Sequence, residues 1–170
     1  VRSVLENLPQ GWRDITVRRL LTHTSGLPDV VEATPFELNP VAATLPTALE
    51  VVADRPMEFA TGSAWRYTQT NYALAQSLVE TLSGRTFPDF VHDRLLDPAG
   101  MTATSFGGAG AVVEGRGPWY SRLELSGDGL RPTDRLHRIH PEYPDFLLGT
   151  GGLNSTVERS EEHTSELQSP

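Results

Sequence analysis

Phe59-Ala-Thr-Gly-Ser-Ala-Trp-Arg-Tyr-Thr-Gln-Thr-Asn-Tyr72 is the most informative stretch of this chain. It places Tyr67 on a glycine-containing turn directly before a segment with strong helical periodicity. A tyrosine held at a helix entrance can keep its phenol in a cleft and take part in proton transfer. The alternative is that Tyr67 is a half-buried aromatic side chain that packs the turn against the helix.

The composition of the chain narrows the classes of protein and of site. The chain has 170 residues, which suits one domain or part of a larger one, and its net charge is -8. The acidic balance argues against nucleic acid as a partner, and no apolar run is long enough to cross a membrane. Since there is no cysteine, disulfides and thiolate metal sites are excluded. All 14 basic residues are arginine, so a mechanism that needs lysine cannot run within this chain alone.

Hydrophobic spacing and capping residues predict four helices. The most regular one begins at Thr70 or Asn71, carries leucines at every fourth position from Leu74, and ends at Gly84. The other three are predicted after Thr16 and ended by Gly26, after Thr47 and ended by Arg55-Pro56, and after Thr86 and ended by Gly100.

The sequence changes in character after Met101, because glycine and proline interrupt it repeatedly. Residues 119–125 are predicted as a strand that is followed by a turn over residues 126–129. Residues 131–144 contain prolines at three positions and are predicted as a loop. A further helix is predicted to start at Asn154 or Ser155.

The last residues of the chain are predicted to be foreign to the domain. Residues 159–169 match, over eleven successive positions, the translation of a widely used sequencing-library adapter. We therefore expect a partial domain over residues 1–158 and an adapter-encoded tail over residues 159–170. The alternative is a natural acidic tail.

Four segments, in order and with regular spacing, resemble one superfamily of proteins. They are residues 15–29, with Thr-His-Thr-Ser-Gly-Leu-Pro at 22–28; residues 59–74, with the tyrosine motif; residues 87–106, with Leu-Asp-Pro-Ala-Gly-Met at 96–101; and residues 151–158. Together they resemble the serine β-lactamase and penicillin-binding-protein superfamily, in particular class C-like β-lactamases, related esterases and D-amino-acid-specific peptidases. The resemblance implies an α+β fold of the β-lactamase/transpeptidase type. This chain would cover mostly the helical subdomain of that fold, with a few short strands.

The chemistry of this superfamily uses three groups. A Ser-x-x-Lys supplies the nucleophile and a proton acceptor, a Tyr-x-Asn supplies a phenol relay and a substrate-positioning amide, and a Lys-Thr-Gly or His-x-Gly strand borders the oxyanion site. The resemblance carries over only the second group, as Tyr67-Thr68-Gln69, with Tyr67 catalytic and Gln69 substrate-binding. Gln69 stands where Asn is usual and offers the same amide on a longer stem. The other two groups would lie before Val1 and after residue 158, so we expect a chain that is truncated at both ends and inactive alone.

The resemblance also implies a small-molecule or peptide substrate and an acyl-enzyme, with no cofactor and no metal, and it favours a periplasmic or secreted location. Two other interpretations stay open. One is a non-catalytic paralogue that binds peptide-like ligands, which Gln69 motivates. The other is a small helical interaction domain that folds by itself.

Two further groups of polar residues are interpreted as structural. His23 and Ser25 lie two positions apart at a helix end, where side chains do not face each other, and His23 is expected to bind loop backbone. His137, His140 and Glu142 could suggest a metal site, but they lie on a predicted loop without a partner cluster. Solvated loop residues are the favoured interpretation of these three.

Overall fold

The structure, a computed structural model, describes residues 1–5, 8–12, 14–33, 44–107, 115–126, 129–139 and 144–156. Within these ranges helices form the packed core, and the strands form two separate two-stranded sheets, an α+β arrangement as predicted. The boundary predicted at residue 158 lies outside the described residues and stays a prediction. The helices are α1 (Val17–Leu21), α2 (Val30–Ala33), α3 (Leu45–Val52), α4 (Gln69–Ser83), α5 (Phe87–Val91) and α6 (Leu148–Gly151), and the strands are β1 (Ser105–Phe106), β2 (Trp119–Ser126), β3 (Gly129–Ile139) and β4 (Leu153–Asn154).

Helix α4 is the element on which most of the other helices pack, since it contacts α1, α2, α5 and α6. Thr68 caps its start by accepting a hydrogen bond from the Thr70 N–H (3.3 Å). Gly84 ends it in the left-handed region (φ 67°), as predicted. The predicted start at Thr70 or Asn71 is wrong, because both side chains are buried and bind the α1–α2 connection rather than the helix end.

The leucine row of α4 is only partly buried. Leu74 and Leu78 are 1% and 6% exposed, whereas Leu82 is 72% exposed. Because an α-helix repeats every 3.6 residues, positions four apart drift around its axis. The third leucine has therefore left the buried face.

Helix α1 begins as predicted and ends earlier than predicted. Thr16 accepts a hydrogen bond from the Arg19 N–H (3.3 Å), and Thr22 is the C-cap. The left-handed residue that follows the helix is His23 (φ 54°), and not Gly26 as predicted. Gly26 also has a positive φ (80°), but it serves the next turn of the connection.

Helix α3 begins before its predicted cap. The Thr44 hydroxyl oxygen accepts from the Thr47 N–H (3.5 Å), and the Thr47 hydroxyl oxygen accepts from the Thr44 N–H (3.0 Å). This reciprocal capping box makes Thr44 the cap and Thr47 the third helical residue. Pro46 lies in the first turn, where its missing N–H leaves no helical hydrogen bond unmade.

Helix α5 follows its predicted cap and continues into a different helical turn. Thr86 accepts a hydrogen bond from the Asp89 N–H (3.3 Å), as its sequence spacing indicates. A π-helical turn over His92–Leu96 extends the helix, and Gly100 has a positive φ (65°) in the turn beyond it.

Strands β2 and β3 form an antiparallel hairpin. Strand β2 matches the predicted strand, whereas β3 occupies most of the segment that was predicted as a loop on account of its prolines. Pro132 lies opposite Leu123, next to an irregularity in register between Ser121 and Leu123. A proline is tolerated here because each strand of a two-stranded sheet has an edge without a neighbour. The centre of the predicted turn, residues 127–128, lies outside the described residues.

The second sheet joins distant parts of the chain. Ser105 pairs with Asn154 and Phe106 pairs with Leu153 in antiparallel register. Asn154, predicted as a helix start, is therefore the end of a strand, and any helix beyond residue 156 lies outside the described residues.

The loop before α4 is tied to the end of α1 by a row of hydrogen bonds. The four consecutive carbonyls of residues 23–26 each accept one bond from this loop. Gly26 approaches the loop so closely that a Cβ at this position would collide with the Phe59 carbonyl oxygen. The α1–α2 connection therefore fixes the entrance of α4. The donors, in the order of those carbonyls, are the Arg66 N–H (3.0 Å), the Gly62 N–H (2.8 Å), the Thr61 hydroxyl (2.8 Å) and the Glu58 N–H (2.9 Å).

We expect Gly26→Ala to lower the free energy of unfolding by about 3 kcal/mol or more, because a left-handed alanine is strained and its Cβ overpacks the Phe59 carbonyl. Gly84→Ala is the matched control, since Gly84 also has a positive φ (67°) but has no atom within 4 Å of a Cβ. It should cost only about 1–2 kcal/mol. Urea unfolding of both variants measures the difference, and equal losses would contradict the close approach at Gly26.

Candidate active site

The structure brings the two predicted site residues together at the entrance of α4. Gln69 is the first residue of the helix and Tyr67 precedes it by two positions. The Tyr67 hydroxyl donates to the Gln69 Oε1 atom (3.2 Å). Tyr67 is 50% exposed, so its phenol is open to solvent while one hydrogen bond orients it. This bond also leaves the Gln69 amide NH₂ group as a donor beside the phenol.

Asp29 joins the entrances of two helices. Its Oδ1 atom accepts from the Val31 N–H (2.7 Å) in α2, and its Oδ2 atom accepts from the Gln69 N–H (2.8 Å) in α4. A carboxylate is favourable at a helix N-terminus because the helix dipole is positive there. The Asp-x-x-Glu spacing of residues 29–32 was a usable signal for the α2 cap. No local sequence pattern indicates the hydrogen bond to Gln69, because it joins residues 40 positions apart.

A buried polar cluster lies beneath the entrance of α4. The Ser25 hydroxyl donates to the Asn71 Oδ1 atom (2.6 Å), and the Asn71 Nδ2 atom lies 3.0 Å from the His23 Nδ1 atom. Ser25 and Asn71 are completely buried. Ser25 and His23 therefore both bind Asn71, and the buried Ser25 hydroxyl, with its hydrogen held by Asn71, is unsuited to act as a nucleophile.

Thr70 provides a second buried tie between α4 and the α1–α2 connection. Its hydroxyl donates to the Pro28 carbonyl (2.7 Å) and accepts from the Val30 N–H (3.0 Å). Both the donor and the acceptor capacity of this buried hydroxyl are thus used, and the start of α2 is fixed against the start of α4.

The His23 ring lies among three aromatic rings. Its centroid is 4.7 Å from that of Tyr67, 5.2 Å from that of Tyr72 and 6.1 Å from that of Trp65, whose ring is inclined by 74°. The Thr68 N–H points at its Nδ1 atom (3.5 Å), so His23 binds loop backbone, as predicted. Burial lowers the pKa of His23 below its ordinary value.

One group of side chains among the described residues could bring three ligand atoms to a metal ion. His92 and Asp93 on the π-helical turn and Asp97 directly after it are all exposed. Arg85 donates a hydrogen bond to Asp93 (2.6 Å), and this bond holds the pKa of the Asp93 carboxyl below its usual range. We interpret the group as ion pairs on a helix surface. The sequence also suggests His137, His140 and Glu142 as possible metal ligands. His137 forms a hydrogen bond with Thr133 (3.1 Å), and the other two lie outside the described residues.

A groove of about 1080 Å³ runs beside α4, on residues different from those of the tyrosine motif. Apolar side chains from four parts of the chain line it, together with polar ones that include Glu50, Gln76, Glu80 and Asp145. The apolar ones include Leu5 and Leu8 near the start of the chain, Leu49 in α3, Leu74 in α4 and Phe146.

Comparison with known proteins gives a consistent family. The profile of the protein family described as Beta-lactamase matches residues 2–160. Penicillin-binding protein 4* of Bacillus subtilis is 29% identical over 97 residues, 55% of this chain and 21% of that protein. A D-aminopeptidase of Cereibacter sphaeroides is 31% identical over 102 residues, 58% of this chain and 20% of that protein. The crystal structure of a D-stereospecific amidohydrolase from Streptomyces sp. matches with a TM-score of 0.70 and 28% identity, over 91% of this chain and 46% of that chain.

The extent of these matches differs between this chain and its relatives. The chain spans about one fifth of the two curated relatives and just under half of the solved one. Among the residues that the structure describes, no helix is both long and apolar enough to span a bilayer. The fold of the solved relative confirms the predicted β-lactamase/transpeptidase-like α+β fold. Because the family profile covers nearly the whole sequence in one match, this chain belongs to the Beta-lactamase family.

Proposed function

We propose that this chain is part of a serine hydrolase that cleaves an ester, a β-lactam or a D-amino-acid amide or peptide through an acyl-enzyme. The observation that carries the proposal is the pair formed by the Tyr67 hydroxyl and the Gln69 amide at the entrance of α4. The phenol is open to solvent and the amide has an unused donor beside it. A proton relay and a substrate-positioning amide need this combination of access and fixed geometry.

In the proposed reaction, the hydroxyl oxygen of a serine attacks the substrate carbonyl carbon. Tyr67 relays the proton that leaves the serine to the alcohol or amine leaving group, as the carbon–oxygen or carbon–nitrogen bond breaks. Water then attacks the acyl-serine ester, and its proton returns to the serine oxygen by the same relay. Gln69 donates a hydrogen bond to a carbonyl of the substrate and holds it in place for both steps.

The serine and its lysine partner are proposed to come from sequence outside this chain. The chain contains no lysine, so no Ser-x-x-Lys can form within it. The groove of about 1080 Å³ along α4 supports this proposal, because a wall that combines leucines with polar side chains suits an amphipathic further helix of the same domain. The chain alone is therefore proposed to be inactive.

Substrates with a D-configured amino acid are the class that we favour among the three. Two relatives support this choice, a D-aminopeptidase and a D-stereospecific amidohydrolase. Both are at least 28% identical to this chain in the matched regions. The proposed reaction uses the serine, the lysine, Tyr67 and Gln69, and it needs no cofactor and no metal.

A non-catalytic paralogue that binds peptide-like ligands is the second candidate. Gln69 favours it, because this position carries Asn in the motif that the chain resembles, and a longer side chain places the amide differently. The sequence upstream of Val1 in the complete gene separates the two candidates. A Ser-x-x-Lys there supports the hydrolase, and its absence supports the binder.

We expect the protein encoded by the complete gene to be labelled by a fluorophosphonate probe and to hydrolyse a D-alanine p-nitroanilide. The chain of residues 1–170 should show neither property, because it contains no Ser-x-x-Lys. Gel fluorescence and absorbance assays on both proteins make the comparison. Labelling of the isolated chain would contradict the proposed origin of the nucleophile.

In the complete protein, Tyr67→Phe should lower kcat by about 10²–10⁴-fold, the range for the loss of a general acid–base group, because the ring stays and the hydroxyl is lost. Tyr120→Phe is the matched control, since Tyr120 is an exposed tyrosine of similar accessibility (55%) on strand β2. It should leave kcat within about twofold of the wild type. Steady-state kinetics measures both, and equal effects of the two substitutions would exclude Tyr67 as the relay.

A further inference from the structure

His23 is the only residue other than glycine with a positive φ among the described residues (φ 54°). A non-glycine residue in this region costs about 1–3 kcal/mol and persists only where its surroundings hold it. Three hydrogen bonds fix the backbone on either side of it. The His23 carbonyl accepts from the Arg66 N–H (3.0 Å), the Thr22 N–H bonds the Arg18 carbonyl (3.0 Å), and the Thr24 carbonyl accepts from the Gly62 N–H (2.8 Å). This conformation directs the imidazole to the entrance of α4.

The imidazole lies between two tyrosine rings. Its plane is tilted by 36° from that of Tyr67 at 4.7 Å and by 26° from that of Tyr72 at 5.2 Å. The Tyr72 hydroxyl bonds the Leu21 carbonyl (3.4 Å), so this ring is fixed to the end of α1. Tyr67 is 50% exposed, and its hydroxyl makes one hydrogen bond, to Gln69 two positions further along the chain. The His23 ring is therefore the main support for the position of the Tyr67 ring.

The hydrogen bonds of the buried cluster determine which nitrogen of His23 carries the proton. Ser25 Oγ accepts from the Leu27 N–H (3.2 Å), so its own hydrogen goes to Asn71 Oδ1 (2.6 Å). The Asn71 amide thus turns its NH₂ group to His23 Nδ1 (3.0 Å), and the Thr68 N–H points at the same nitrogen (3.5 Å). With two donors directed at it, Nδ1 must offer a lone pair, and the proton of the neutral ring is on Nε2.

We propose that His23 is a positioning residue for Tyr67, and that it holds the phenol at the site only while its imidazole is neutral. A proton on Nδ1 would face the N–H groups of Asn71 and Thr68 and would have no acceptor there. The imidazolium must then leave its place, and the Tyr67 ring loses its support. This role of His23 rests on the proposed function in one respect. Tyr67 needs a fixed position because it is proposed to relay a proton.

The charged groups around His23 do not stabilise its protonated form in this position. The titratable groups that pack directly against the ring are the phenols of Tyr67 and Tyr72. Of the neighbouring charged side chains, Asp29 accepts from two backbone N–H groups, Arg19 donates to the Thr24 hydroxyl (3.3 Å), and Arg66 pairs with Glu58. None of the ion pairs between described residues includes His23.

The direction of the pH dependence follows from burial, which lowers the pKa of His23 in the folded chain. The unfolded chain then binds a proton at this residue at higher pH than the folded chain does. The stabilisation from neutral His23 is therefore fully present above its ordinary pKa of about 6.5, and it is lost as the pH falls from there through the lowered value.

The test is an NMR titration of the chain of residues 1–170 from about pH 8 to about pH 5, the range in which histidines titrate. Long-range ¹H–¹⁵N spectra read the tautomer of His23, and ring-to-ring NOEs read its contact with Tyr67. We expect the Nε2–H tautomer, and loss of the His23–Tyr67 NOE over the same pH range as His23 protonation. An Nδ1–H tautomer, or an NOE that persists after protonation, would overturn the proposal. Because no substrate is involved, the outcome is independent of whether the complete protein is a hydrolase.

A pair of variants gives a second readout. His23→Asn keeps a residue that tolerates the left-handed conformation and a side-chain acceptor near the Nδ1 position, and it cannot be protonated. The Tyr67 ring signals should then lose their pH dependence over the acidic range. His92→Gln removes an exposed histidine from the π-helical turn and should leave the response of Tyr67 as in the wild type. A Tyr67 response that survives in His23→Asn, or that disappears in His92→Gln, would assign the effect to another group.

Discussion

The buried hydrogen bonds of Asn71 and Thr70 are the constraint on which the rest of the structure depends. Both side chains are completely buried in the first turn of α4, and both bind the connection between α1 and α2. A buried polar group without a partner costs about 1–3 kcal/mol, so these residues fix one position of α4 against the connection. Gln69 is the first residue of that helix, and Tyr67 lies two positions before it. The same polar contacts thus decide the packing of the helices and the geometry of the candidate site.

In the proposed mechanism, the site that results is one part of a larger catalytic arrangement. Asp29 links the N-termini of α2 and α4, the His23 ring supports Tyr67, and the Tyr67 hydroxyl binds the Gln69 amide. These contacts position a phenol and an amide without substrate. The serine and the lysine of the proposed mechanism are proposed to come from sequence outside the chain, which contains no lysine. The chain spans about one fifth of a curated relative and just under half of a solved one, which is in keeping with that proposal.

Much of the fold was predictable from local signals, and the errors have identifiable causes. Thr16, Thr86 and Gly84 cap or end their helices as predicted, because capping depends on neighbouring residues. The sequence predicts a cap at Thr70 or Asn71, since a threonine or asparagine near a helix start has the same sequence signature whether it binds its own helix or a distant segment. The left-handed conformation of His23 depends on such distant contacts, among them the bond from the Arg66 N–H. Strand β3 was missed because it contains prolines and exists only through its pairing with β2. The position of Tyr67 and Gln69 at a helix entrance followed from the motif, but the support from Asp29, Asn71 and His23 did not.

Native-state hydrogen exchange of three backbone amides tests most directly whether the connection and the entrance of α4 form one unit. The Val30 and Gln69 N–H groups bind the side chains of Thr70 and Asp29 across the boundary between these segments. The Leu27 N–H binds the Ser25 hydroxyl within the connection, and that hydroxyl donates to Asn71 in α4. If the segments open together, the three amides share one opening free energy with the first turns of α4. The account would be contradicted if the Gln69 or Leu27 amide exchanged as fast as an amide in an exposed loop while the amides of α4 stayed protected.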